Sequence, residues 1–364
     1  MNPKPRHSGL EHLRKSLASA LTLMATVALL AALQPAAAQS ASSAAAQSGP
    51  SNCAPVGDLH FVCNLIDVED FLPVAGGRWL VGGSYKPGSV GLYLIDTRAK
   101  TAKPVTLSLA NKPDPLYAGC AAPDLKSLST HGLDVQVTKG HINVFAINHG
   151  GRESVEIFRL HPASNTAEWI GCALPPASVN GNAIAAMADG EFVMTKFMDT
   201  RDKQGFQHIL SGQVTGAVYR WAPGKGFDEV PGTALSGDNG LLTSADGRWI
   251  YVNAYGTHEI YRLPISGNGK RSVAKVDFSP DNLRWAPDGS ILVTGQFIDA
   301  KTLNSLHGWA TARLDPKTMA ITPVVKEAGL KVFDDATSAV QIGHTLWFGT
   351  FRGDRVAYTR LPHP

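Results

Sequence analysis

Six times along the chain a tight-turn dipeptide is followed at once by a short segment rich in β-branched and aromatic residues. The dipeptides are Gly76-Gly77, Lys139-Gly140, Asp189-Gly190, Asp246-Gly247, Asp288-Gly289 and Gly343-His344. The segments are RWLVGGS, INVFAIN, EFVMTKF, RWIYVNA, SILVTGQ and TLWFGTF. Asp-Gly suits the positive φ angles of a two-residue hairpin turn, and the segments have strand composition. Several are followed by a third apolar stretch, among them VGLYLIDT and SVEIFRL. The recurring unit is therefore strand, turn, strand, loop, strand. Successive turns lie 42 to 63 residues apart. That period, with several strands per repeat, marks an all-β chain folded as a β-propeller. A β-sandwich gives no reason for six matching turns. The expectation is one six-bladed domain over residues 53–364.

The residues before it read differently. Lys4, Arg6, Arg14 and Lys15 precede an apolar run from Leu17 to Leu33, which ends in Ala36-Ala37-Ala38. This is the order of a secretory signal peptide with a small-residue cleavage site, expected over residues 1–38. The run is mostly Ala, which favours a cleaved signal over a membrane anchor, and no twin arginine precedes it. Residues 39–52 (QSASSAAAQSGPSN) cannot bury a core and are expected to form a disordered linker. Removing the signal takes four basic residues and one acidic residue from 33 and 30, leaving 29 of each. A neutral mature chain without a basic aromatic stripe argues against nucleic acid as a partner. The protein is expected in a bacterial-type periplasm or outside the cell, with no stable membrane anchor after cleavage. Cys53, Cys63, Cys120 and Cys172 suit two disulfides in such a compartment. Three pairings are possible, of which Cys53–Cys63 with Cys120–Cys172 is favoured. No C-x-x-C pair points to zinc.

Counting back seven residues from the first residue of each turn gives Glu69, Asn182, Asn239 and Asp281, the last with Asn282 beside it. The same step reaches Gly132, next to His131, in the second repeat and Ala336, before Thr337 and Ser338, in the sixth. The innermost strand of each propeller blade starts near the axis, so one register in different blades converges there. Glu69, Asn182, Asn239, Asp281 and Asn282 all offer hard oxygen ligands, two charged and three amide. That mixture suits calcium, which takes six to eight oxygens in flexible geometry. A transition metal would call for more imidazole or thiolate. Each residue alone reads as an ordinary turn or cap residue; the shared register is what sets them apart. We therefore expect a central calcium site.

At these residues the chain resembles the paraoxonases, the calcium-dependent lactonase and arylesterase family within the wider gluconolactonase-like propellers. The resemblance runs through Val68-Glu69-Asp70-Phe71-Leu72-Pro73, Ser84-Tyr85-Lys86-Pro87-Gly88, Thr130-His131-Gly132-Leu133, the stretch NVFAINHGGRESVEIFRL and the final GHTLWFGTF. It implies Glu69, Asn182, Asn239, Asp281 and Asn282 as ligands of a catalytic calcium and His131 and His149 as the catalytic histidine pair. It also implies a second, structural calcium, for which Asp70 and the Leu133 carbonyl match two ligands. The third carboxylate would follow Asn182, where this chain has Ala183. The loop up to Gly76-Gly77 leaves room for Asp67 or Asp70 to take the role of Glu69. The segment KFMDTRDKQGFQHILSG (196–212) does not match well, and such loops wall the pocket and set substrate choice.

The function so implied is hydrolysis of a small lactone or aryl ester, with calcium polarising the carbonyl and His131 as general base for water. No G-x-S-x-G elbow supports a nucleophilic serine. Two other readings stand beside it. One is a non-catalytic, calcium-stabilised propeller that binds through its top face. The other is a sugar-lactone hydrolase of the gluconolactonase type. A propeller hosts many functions, so fold alone does not choose.

Overall fold

All six turn dipeptides sit between the two innermost strands of a blade. The computed structural model describes residues 53–299, 301, 302 and 304–361; the expected signal peptide and linker lie outside them. Six sheets, antiparallel but for one edge strand, follow one another around a ring. The first blade runs Phe71–Val74, Trp79–Gly83, Leu92–Asp96 and Thr101–Pro104 from inside to outside. The inner strands of the other five are Thr130–Thr138, Val179–Ala186, Asp238–Thr243, Ser279–Trp285 and Ala336–Ile342. Lys139 and Gly140 take φ of 50° and 78°, as a type I′ hairpin requires. The ring closes in the sixth sheet, where the N-terminal strand His60–Cys63 pairs antiparallel with Arg355–Arg360 as its outermost strand.

Each blade stacks on two neighbours, so its middle strands are buried on both faces. Leu92–Asp96 is buried at every position, which explains a sequence of continuous apolar runs rather than alternation. The core is accordingly divided into six layers, one between each pair of adjacent blades. In the layer between blades one and two, for example, Val81 and Leu94 pack with Val144, Phe158 and Trp169.

The recurring unit has one strand more than the sequence pattern suggests. Short, exposed segments such as Thr101–Pro104 and Gly226–Glu229 form a fourth, outer strand. The second blade adds a fifth, Thr106–Leu109, which runs parallel to Thr166–Ala173. Disulfides join Cys53 to Cys63 and Cys120 to Cys172, in the favoured pairing. Two disulfides fit an extracellular location. No helix among the described residues is long and apolar enough to cross a membrane.

Candidate active site

The inner strands are irregular at the very positions singled out by the seven-residue step. Pairing with the second strand shifts register between Thr130 and Leu133, Gly181 and Ile184, Asp238 and Leu241, Pro280 and Leu283, and Ala336 and Ser338. A bulge turns the strand locally and re-aims its side chains. His131, Asn182, Asn239, Asp281, Asn282 and Thr337 lie inside these five bulges. Glu69 enters from blade one, two residues before its inner strand. The bulges bring neighbouring inner strands so close that a Cβ on Gly240 would lie 2.2 Å from the Asp281 carbonyl oxygen.

Glu69, His131, Asn182, Asn239 and Asp281 line one cavity of about 720 Å³. Asn282 joins them from behind, its Nδ2 donating to Glu69 Oε1 at 2.6 Å. Glu69 is held from blade six, where Thr337 Oγ1 and Ser338 Oγ donate to its main-chain carbonyl at 2.5 and 2.9 Å. Gln296 Nε2 donates to Asp281 Oδ2 at 2.8 Å and is itself fixed by Tyr255 Oη. Thr195 Oγ1 and Asn253 Nδ2 donate to the main-chain carbonyls of Asn239 and Asp281. Asp67 and Asp70 do not take the place of Glu69. Asp67 accepts from the Gly353 N–H, and Asp70 faces Arg284.

Four acceptor oxygens are left over. Glu69 Oε2 and the Oδ1 atoms of Asn182, Asn239 and Asn282 are buried and find no hydrogen-bond partner among the described residues. An unsatisfied buried polar group costs about 1–3 kcal/mol, so four in one place constitute a strong demand for positive charge. The carboxyl groups express the same demand. Burial pushes Glu69 well above the usual carboxylate range, and the neighbouring Asp281 and Asp70 push it further. Burial lifts Asp281 to about 7. Among the described residues no three His, Cys, Asp or Glu side chains form a metal-holding group. The set found here is mainly amide and suits a hard cation such as calcium rather than a transition metal.

His131 and His149 are brought together, with Nδ1 of the first 2.9 Å from Nε2 of the second. The Nδ1 of His149 lies 2.8 and 2.9 Å from the two carboxylate oxygens of Glu153. Nε2 of His131 points toward Glu69 Oε2 at 3.7 Å. Burial, with His149 alongside, holds His131 well below its ordinary value, so it is neutral at pH 7 and able to accept a proton. Tyr85 packs over it with ring centroids 4.4 Å apart.

The residues implied for a second calcium meet a different cation. Arg284, 5% exposed on the inner strand of blade five, pairs with Asp70 Oδ2. The same guanidinium reaches the Leu133 carbonyl at 3.2 Å and the Leu283 carbonyl at 2.7 Å. The positive charge beside Asp70 and Leu133 is thus part of the chain. The only sequence signal for it was a basic residue inside an inner-strand segment, between Leu283 and Trp285.

The sequence pointed to the segment 196–212 as a pocket wall without naming the residues that form it. Phe197, Met198, Phe206, Tyr255, Ile298 and Phe351 line the cavity above the polar floor. Phe197, Met198 and Phe206 come from the poorly matched stretch 196–212, which carries the short helix Gly205–Leu210. Phe197, Phe206 and Tyr255 form one aromatic cluster, with centroids 5.8 to 6.5 Å apart.

A search of curated proteins finds no match. Among solved structures, a luciferin-regenerating enzyme superposes with a TM-score of 0.55 at 11% identity, covering 82% of this chain and 93% of its own. A gluconolactonase from Xanthomonas campestris gives 0.52 at 18% identity, covering 84% and 89%. These likenesses establish the fold. The family model described as SMP-30/Gluconolactonase/LRE-like region matches residues 152–324, a stretch that runs from blade two into blade five.

Proposed function

We propose that this protein is a calcium-dependent hydrolase that opens lactones or aryl esters. The observation that carries the reading is the meeting, around one cavity, of four unpartnered acceptor oxygens and a hydrogen-bonded histidine pair. Glu69, Asn182, Asn239, Asp281 and Asn282 would hold the ion. Calcium, when bound there, supplies a Lewis acid for the ester carbonyl and a positive field for the developing oxyanion. The chain's own residues do the rest. His131 Nε2 faces the cavity floor and takes the proton of the attacking water. Tyr85 and the aromatic wall exclude bulk solvent and seat the acyl or aryl part of the substrate. The resemblance to the paraoxonases supports the same assignment of His131 and His149.

The gluconolactonase-like match favours a second reading, hydrolysis of a sugar lactone. The walls weigh against it. A polyhydroxylated ring would lose water from several hydroxyls against Phe197, Met198, Phe206, Ile298 and Phe351, with Asn180 and Arg352 the polar exceptions above the floor. The test is a panel of γ- and δ-lactones, an acyl-homoserine lactone, phenyl acetate and gluconolactone, offered to the mature protein in calcium and after chelation. Turnover that chelation removes and calcium restores is expected, with the apolar substrates preferred. His131→Gln should abolish turnover and leave calcium affinity intact; unchanged turnover would rule out His131 as the base. Calcium-dependent heat stabilisation without any turnover would instead favour a non-catalytic binding propeller.

A further inference from the structure

We infer that Glu153 is a positioning residue for the histidine pair, the outer member of a three-part chain Glu153–His149–His131. The inference rests on the hydrolase reading and adds a residue that this reading does not require. A carboxylate can only accept hydrogen bonds when ionised. With both its oxygens within 2.9 Å of His149 Nδ1, Glu153 places the ring proton of His149 on that nitrogen. In the neutral imidazole Nε2 is then an acceptor. His131 must therefore donate from Nδ1 across the 2.9 Å contact, and its lone pair is left on Nε2. That is the nitrogen facing the cavity floor and Glu69. One carboxylate behind the pair thus decides, through two rings, which nitrogen of His131 can accept a proton from water.

The placement of Glu153 is built rather than incidental. The turn that carries it is wound around the side chain of Asn148. Its Oδ1 accepts from the main-chain N–H groups of Ser129 and Gly150 at 3.0 Å, and its Nδ2 donates to the carbonyls of Gly150 and Arg152 at 3.0 and 3.1 Å. Gly150 is pressed against the preceding loop, where a Cβ would lie 1.7 Å from the Ser127 carbonyl oxygen. Both chain neighbours of Glu153 are tied to a single buried carboxylate. Arg152 Nη2 and Ser154 Oγ each donate to Glu156 Oε1 at 2.7 Å, and Trp169 Nε1 donates to Glu156 Oε2 at 2.7 Å. Glu153 is left between two clamped residues with only His149 in reach of its carboxylate among the bonds described. Side-chain exposure rises outward along the chain, from 12% at His131 and 14% at His149 to 26% at Glu153.

The test compares Glu153→Met, which fills the space but offers no oxygen, with Glu153→Gln, whose carbonyl can still accept from His149 Nδ1. Two quantities are read on the full mature protein: kcat and KM for phenyl acetate and a δ-lactone, and the ring-nitrogen NMR shifts of His149, assigned with His149→Asn. The wild type should show His149 protonated at Nδ1. Glu153→Met should lower kcat roughly 10- to 100-fold, the usual cost of losing the group that orients a working histidine, with KM little changed. It should also shift His149 away from that tautomer, and Glu153→Gln should restore part of both. Wild-type kcat in Glu153→Met, or a wild-type His149 protonated at Nε2, would overturn the inference. Should no substrate be turned over at all, the hydrolase reading fails, while the tautomer measurement still decides whether Glu153 sets His149.

Discussion

Asp281→Asn probes whether the floor of the cavity requires a cation. Burial lifts the Asp281 carboxyl from 3.8 to about 7, so the folded, chelated protein binds a proton there that the unfolded chain has already released. Between about pH 4 and 7 the folded state therefore carries more protons, and its stability falls as pH rises through that window. Each pKa unit is worth about 1.36 kcal/mol, which makes the full penalty above neutrality about 4 kcal/mol. The asparagine removes the charge and keeps an oxygen for Gln296 Nε2, which bonds Asp281 Oδ2 at 2.8 Å. In chelator at pH 8 the variant should be the more stable by about that amount, about 6 °C in Tm for a domain of this length. At pH 5 only the first unit or so of that window has been crossed, and the difference should shrink to about 1.5 kcal/mol. Saturating calcium should reverse the order at pH 8. His131 contributes with the opposite sign, since a depressed histidine loses stability as pH falls below its unfolded value of 6.5; it does so in both proteins and drops out of the difference. The assay is scanning calorimetry at the two pH values, each with chelator and with calcium. A variant less stable than wild type in chelator at pH 8 would refute the argument that these carboxyl groups are crowded without compensation.

Three further outcomes follow from the same geometry. Asn239→Ala should lose the calcium-induced rise in Tm, which amounts to about 2.7 kcal/mol when calcium is present at a hundred times its Kd; titration calorimetry would show the weakened binding directly. Arg284→Met breaks a buried ion pair and leaves Asp70 uncompensated, so urea unfolding should show a loss of about 3–5 kcal/mol. Gly240→Ala forces a methyl against the Asp281 carbonyl. It should cost at least about 1–3 kcal/mol and reduce calcium affinity together with stability.

Much of the site was legible because a hairpin turn fixes the number of residues between itself and the axis. The seven-residue step reached Asn182, Asn239 and Asp281, and each lies within a bulge of an inner strand. The step counts residues and is indifferent to the bulge, although the bulge is what aims the side chain. Thr337 and Ser338 were reached by the same step but offered no charge or amide to suggest a role; they work through hydroxyls that grip the Glu69 carbonyl. The outer strands escaped notice because segments such as TAKP and GFDE are exposed and carry no apolar period. Arg284 and Asp70 are 214 residues apart, and nothing local to either announces the other. Glu153 was hidden differently. It sits within the quoted histidine stretch, but its meaning depends on a turn whose shape is set by Asn148 and by the close approach of Gly150 to Ser127.

The guanidinium of Arg284 joins the inner strand of blade five to Asp70 of blade one and Leu133 of blade two. Three blades of the ring are thereby tied across the axis by a charge that is covalently part of the chain and cannot be diluted away. An ion at the cavity floor can come and go with its concentration; this one cannot. Architecture and chemistry would then answer to different cations within one molecule. With calcium serving the cavity as proposed, its removal should stop turnover while the ring stays closed, and resupply should restore activity without refolding.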